Sequence, residues 1–188
     1  KRFEGMPLDA GHRLAGRVSG DSTVAYAWAY ALAAESASGT AIPPRAAWLR
    51  ALLLERERVA NHLGDLGALG NDAALAFGLA QFSRLRELWL RANTRVFGHR
   101  LMMDCIVPGG LTIDPDRTSL DDLRAQTLEF ETEVRRLRTI YDEHAGLQDR
   151  FQTTGIVAPE LAAQLGLTGL AGRASGIAHD LRVDLPCT

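Results

Sequence analysis

The sequence predicts an all-α fold, a multi-helix bundle, and three observations carry that reading. The chain is rich in Ala and Leu, which favour helix. Its apolar residues recur mostly at spacings of three and four rather than two, the period of an amphipathic helix. Glycine and proline gather at a few points, such as Ser38-Gly39, Pro43-Pro44 and Pro108-Gly109-Gly110, which punctuate long periodic stretches.

Taken in order, the first helix is expected at about 21–36, capped by Asp21 or Ser22 and ended by Ser38-Gly39. Proline at the first helical position opens a second helix at 44–69. Trp48, Leu52, Val59, Leu63 and Leu66 lie near one of its faces, leaving Glu55, Glu57, Arg58 and Asp65 for the others. Gly64, Gly67 and Gly70 follow at a spacing of three, which implies close approach of another helix. A third helix covers 73–97, with a break near Phe82-Ser83 and a basic character from Arg84, Arg86, Arg91 and Arg95. Residues 106–118 read as a loop. The fourth helix, 119–146, has Ser119 as its N-cap and Asp121 and Asp122 in its first turn. Leu120, Leu123, Thr127, Phe130, Val134, Leu137 and Tyr141 form a heptad seam, read as a bundle helix rather than a coiled-coil dimer. A short helix at 158–165 precedes a glycine-punctuated loop at 166–188.

The chain has 188 residues and a net charge of -2, from 21 Lys+Arg against 23 Asp+Glu. With 46% hydrophobic residues, this is ordinary globular composition, and it argues against disorder and against a basic nucleic-acid surface. Two cysteines, Cys105 and Cys187, make no disulfide framework and suit a reducing compartment. The longest apolar stretch, Thr23 to Ala34, has about a dozen residues against the ~20 that span a bilayer, so no transmembrane segment is expected. From its ends, residues 1–188 read as the central fragment of one larger domain.

Chemistry is sparse on the residues alone. His12, His62, His99, His144 and His179 include no pair at the zinc-helix spacing, and no CxxC occurs. Cys105 reads as a buried free thiol. Gly166–Gly176, with Arg173, lacks the spacing of a phosphate loop. Tyr26 and Tyr30 read as core residues with satisfied hydroxyls. Asp72, among apolar neighbours, reads first as a helix cap, otherwise as a paired or tuned carboxylate. His62 reads as a buried, hydrogen-bonded side chain.

Six segments together carry more. They are Leu54–Gly67, Phe97–Asp104, Val107–Gly110, Thr154–Val157, Gly166–Gly169 and Arg173–Gly176. In this order and spacing they resemble the large subunit of energy-converting, membrane-bound nickel–iron hydrogenases, including the formate hydrogenlyase large subunit. The same fold forms the 49-kDa-type, quinone-site subunit of respiratory complex I.

The resemblance implies that Ser19-Gly20-Asp21-Ser22 falls where hydrogenases carry a CxxC with two nickel ligands. Ser19 and Ser22 replace both thiolates, and a hard, neutral hydroxyl does not substitute for a bridging thiolate, so no metal is expected. The family's second CxxC is expected beyond Thr188, and Cys187 is not one of its ligands. On the complex I side, Tyr30 falls on the tyrosine that hydrogen-bonds the quinone headgroup. Asp72 falls on the aspartate that pairs with a quinone-site histidine, expected upstream of Lys1. Arg17, His62 and Arg173 are candidates for the cavity or an interface.

The expected parent is an oxidoreductase subunit of NADH dehydrogenase or hydrogenase type; whether this stretch is itself an enzyme stays open. No cofactor is expected on it. Quinone would bind the intact subunit, and an iron–sulfur cluster would sit in a small partner subunit. Membrane subunits complete the expected partners, with nucleic acid excluded and the assembly on the cytoplasmic side of the inner membrane. The alternatives are a catalytically inactive structural subunit of a membrane hydrogenase-like complex and a helical interaction module.

Overall fold

The computed structural model describes residues 1–184, so Cys187 and the end of the expected loop lie outside the described residues. The chain divides into two compact units, one ending at Tyr141 and the other starting at Asp142. No helix among the described residues is long and apolar enough to cross a membrane.

The first unit begins with a short helix that the sequence reading lacks, α1 (Gly11–Ala15), followed by a 3-10 turn at Gly20–Ser22. The long elements are α2 (Thr23–Ser38), α3 (Pro44–Asp72), α4 (Ala76–Phe97) and α5 (Arg117–Glu143). A two-stranded antiparallel hairpin, β1 (Ile106–Val107) and β2 (Gly110–Leu111), interrupts the expected loop, with Ile106 opposite Leu111. Gly39 ends α2 in the left-handed region, at φ 67, and its N–H returns to the Glu35 carbonyl. Val24, Ala27, Trp28 and Ala31 of α2 pack with Leu53, Ala92, Phe97, Ile106 and Leu123 into one core.

Helices α3 and α4 are joined through Ala73–Leu75 and pack closely, as the glycine spacing predicts. A Cβ on Gly67 would sit 3.4 Å from Phe82 Cβ and 3.7 Å from Leu79 Cα, so bare backbone lets α4 approach. Gly70 and Gly78 leave room for Tyr141 of α5, whose hydroxyl donates to the Leu66 carbonyl at 2.7 Å. Its ring meets Phe82 edge-on at 5.4 Å. Along the α5 seam Leu123, Phe130, Leu137 and Tyr141 are buried, Leu120 and Val134 are half-buried, and Thr127 is exposed.

Several boundaries differ from the sequence reading. Helix α4 starts at Ala76 and continues through Phe82-Ser83 without a break, because Phe82 is a buried packing residue. Helix α5 starts at Arg117, and Asp116 rather than Ser119 supplies the cap, its Oδ1 accepting the Ser119 N–H at 2.8 Å. The helix ends at Glu143, where His144 caps a separate helix, α6 (Ala145–Phe151), by accepting the Leu147 N–H at 3.2 Å. The buried stripe of α3 runs through Leu49, Arg50, Leu53, Glu57, Ala60, Leu63, Gly67 and Gly70. It is rotated from the expected face, and Trp48 is 65% exposed.

The second unit holds α6, α7 (Pro159–Gln164), α8 (Gly169–Ala174) and α9 (Leu181–Asp184). The last two lie within the expected loop. Here Asp180 takes Arg182 at 2.8 Å and Arg173 at 3.6 Å.

Candidate functional site

The Ser19–Ser22 segment is a tight turn held from α3. Ser19 is extended, at φ -142 and ψ 132, and neither Ser19 nor Ser22 caps the helix that follows with its side chain. Glu57 does so instead. Its carboxylate accepts the N–H groups of Val24 at 2.6 Å and Ala25 at 3.1 Å, satisfying donors that a helix start leaves open. Burial raises the Glu57 pKa above its ordinary value, the two N–H bonds oppose the rise, and Asp21 adds to it. One turn along α3, Asn61 Nδ2 donates to the Asp21 carbonyl at 2.6 Å. A polar cavity of about 310 Å³ opens beside this contact, lined by Asp21, Asn61, Gly64, Asp65 and Arg86.

Before the turn, Arg17 makes a bidentate pair with Asp104, both bonds 2.7 Å, and also donates to the Arg13 carbonyl at 2.6 Å. Arg17 holds the Asp104 carboxyl below the usual range, against desolvation and with help from Arg13 and His12. His12 is buried nearby on α1, and its Nδ1 has no partner among the described residues. Cys105 follows Asp104 and is buried, as expected. Burial, reinforced by Asp104, pushes its thiol up to about 11, and it donates to the Phe97 carbonyl at 3.6 Å. It is an inert core thiol.

Tyr30 is half-buried on α2, against the N-terminal segment. Its hydroxyl donates to the Leu8 carbonyl at 3.1 Å, its ring stacks on Phe3 at 5.8 Å, and a Cβ on Gly11 would collide with it. Asp72 lies exposed in the last turn of α3, so it neither caps a helix start nor sits among buried apolar groups. Among the described residues no hydrogen bond joins Tyr30 to Asp72. His62 is exposed on α3, because Leu63 beside it takes the buried position. Arg173 pairs with Asp180 within the second unit. Arg17 and the serine turn are thus neighbours along the chain, while the other candidates occupy separate places.

Sequence reasoning did not single out Arg50 or Glu35, yet the two form a buried ion pair. Arg50 is fully buried and bonds Glu35 at 3.0 and 2.6 Å, the Val107 carbonyl at 2.8 Å and the Gly110 carbonyl at 3.0 Å. Glu35 also accepts the Gly109 N–H at 2.7 Å, and Arg50 draws its pKa down. The only available signal was positional: Arg50 and Glu57 fall on the same three-and-four spacing as Leu53, Ala60 and Leu63. No cluster of three His, Cys, Asp or Glu placed to hold a metal occurs among the described residues.

The family profile of the respiratory-chain NADH dehydrogenase 49 Kd subunit matches residues 65–188. The chain belongs to this family. Among relatives of the 49 kDa family, formate hydrogenlyase subunit 5 of Escherichia coli is 31% identical over 92% of this chain and 30% of its own length. The NADH-ubiquinone oxidoreductase 49 kDa subunit of Cafeteria roenbergensis is 32% identical, over 84% of this chain and 40% of its own. The carbon monoxide-induced hydrogenase of Rhodospirillum rubrum is 28% identical over 84% of this chain and 44% of its own. The chain therefore spans less than half the length of these curated relatives. A solved structure of the membrane-bound sulfane sulfur reductase, an archaeal respiratory membrane complex, superposes with a TM-score of 0.91 over 97% of this chain and 49% of that one. At 24% identity it shows the fold alone, a mainly α architecture.

Proposed function

We propose that this 49 kDa-family chain is part of the large subunit of an oxidoreductase working in a membrane-associated complex. In that role it contributes to a quinone-type or proton-coupled electron-transfer cavity, without nickel–iron hydrogen chemistry. The observation that carries the reading is the donor set of the Ser19–Ser22 turn. A nickel–iron centre needs soft thiolates there, and the turn offers two hydroxyls, while Cys105 is buried elsewhere with its proton held. The residues present do not fit that metal centre.

Quinone reduction needs electrons and protons delivered at one place. The electrons would come from an iron–sulfur cluster in a small partner subunit, since the described residues hold no such ligand set. Tyr30 and Asp72 are the proton-bearing candidates. The Tyr30 O–H would have to turn from the Leu8 carbonyl to serve a quinone oxygen. Asp72, exposed at a helix end, is open to a histidine from outside residues 1–188. Partner membrane subunits and a cytoplasmic-side position belong to the same proposal.

In the intact complex, Tyr30→Phe is expected to lower quinone reductase turnover at least tenfold with assembly unchanged; unaltered turnover would remove Tyr30 from the site. Metal analysis of the full-length protein is expected to find nickel far below stoichiometry, and one nickel per chain would overturn the reading of Ser19 and Ser22. A second reading, an inactive structural subunit, is favoured by the internal bonds of Arg17 to Asp104 and Tyr30 to Leu8. It is distinguished by an Arg17→Ala variant that loses assembly beside a Tyr30→Phe variant that changes nothing.

A further inference from the structure

An open groove of about 360 Å³ lies between α3 and α5. Leu52 and Val59 form one wall, Leu120 and Leu123 the other, and Trp89 of α4 contributes to the floor. The groove lies where the α5 seam is only partly covered, although Leu123 itself is 4% exposed. Phe130, Leu137 and Tyr141 are buried further along, whereas Leu120 is half-buried and Thr127 exposed. One turn before Leu52, Trp48 extends the apolar surface with 65% exposure.

Its charge is unbalanced. Arg56 lies at the floor, 2% exposed, and every partner it has among the described residues is neutral. These are Asn93 Oδ1, the Trp89 carbonyl at 3.2 Å, Gln126 Oε1 at 3.0 Å and the Trp89 ring at 3.9 Å. Burial, with Arg95 adding to it, pulls the guanidinium pKa down to about 9. On the rim Arg124 is exposed and, among the described residues, makes no ion pair. The one acid of the lining, Glu55, is 3.4 Å from Arg58. Two arginines thus face an apolar trough whose one carboxylate, Glu55, is already paired with Arg58, and a negative charge brought in beside them is only partly screened.

We propose that the groove docks an amphipathic helix of a partner subunit, one with an Asp or Glu among apolar anchors that sets its carboxylate at Arg124, above Arg56. Two flanking helices over a third form the trough that helix-in-groove recognition uses. The inference rests on the chain being a subunit of a multi-subunit complex.

The test replaces Leu120 with benzoylphenylalanine in the intact complex, irradiates it and sequences the cross-linked peptide. The expected product is one segment of another subunit, with apolar residues at helical spacing and a carboxylate among them. Arg124→Glu is expected to cut the yield at least tenfold, and a compensating Lys at the partner's acid to restore it. Arg117→Glu, at a residue 95% exposed outside the groove, is expected to leave the yield unchanged. Cross-linking to lipid, to a second copy, to another part of the same chain or to nothing overturns the proposal, as does equal yield from Arg124→Glu. If the chain purifies without other subunits, the reading beneath the inference fails; if the complex is intact and the cross-link absent, only the docking inference fails.

Discussion

Arg50 and Arg56 lie six residues apart on α3, both buried, and the fold compensates them differently. Arg50 has a carboxylate and two backbone carbonyls; Arg56 has neutral acceptors and an indole face. Glu35→Ala would strand the Arg50 charge and is expected to cost about 3–5 kcal/mol, read by urea unfolding. Arg56→Met removes a desolvated cation while keeping bulk, so it is expected to cost much less, within about 1–2 kcal/mol. A loss for Arg56→Met equal to that for Glu35→Ala would show that the neutral acceptors compensate as fully as a carboxylate does. In the sequence only the place of Arg50 on the three-and-four spacing of Leu53, Ala60 and Leu63 hinted at this, and the partners of both arginines stay hidden until the neighbouring elements are placed. Arg17, Ser19, Ser22 and Tyr30 were legible only through the resemblance. Their partners Asp104 and Leu8 were not, because those contacts span 87 and 22 residues.

The helices follow from local rules, and their packing depends on where side chains are missing. Gly70 and Gly78 accommodate Tyr141, so Gly70→Ala is expected to destabilise by about 1–3 kcal/mol through overpacking against the phenol. Tyr141→Phe removes the bond to Leu66 and also the colliding oxygen. The double variant is therefore expected to be less damaged than the sum of the singles, by thermal or urea unfolding. Additive losses would show that the added methyl is rejected by the Leu75 carbonyl, 3.2 Å from it, rather than by the phenol. At this scale the four long helices were readable, since each repeats its period several times. The short helices α1, α6, α8 and α9 were not, because a stretch of one or two turns carries too few apolar positions to establish a period. The break assigned near Phe82-Ser83 failed because burial of Phe82 overrides a local composition signal.

Across the whole molecule, buried and paired carboxylates set opposite pH dependences. Glu35 and Asp104 have folded pKa values below their ordinary 4.5 and 3.8, so their contribution is full above those values and lost as pH falls through the depressed ones. Glu57 has a folded pKa above 4.5, so its contribution is full below 4.5 and lost as pH rises through the raised value. Thermal melts are therefore expected to weaken at strongly acid pH, and Glu57→Gln to flatten the decline on the alkaline side of 4.5 while leaving the acid limb in place. An unchanged profile would show that Glu57 keeps its proton affinity on unfolding. The Glu35–Arg50 clamp also has a kinetic side. Arg50 bonds carbonyls 57 and 60 residues away, so the hairpin docks only after a long stretch of chain has closed. The Gly109 amide, held by the Glu35 carboxylate, becomes a clock for that event: its protection in pulsed hydrogen exchange is expected to appear after that of the α3 backbone.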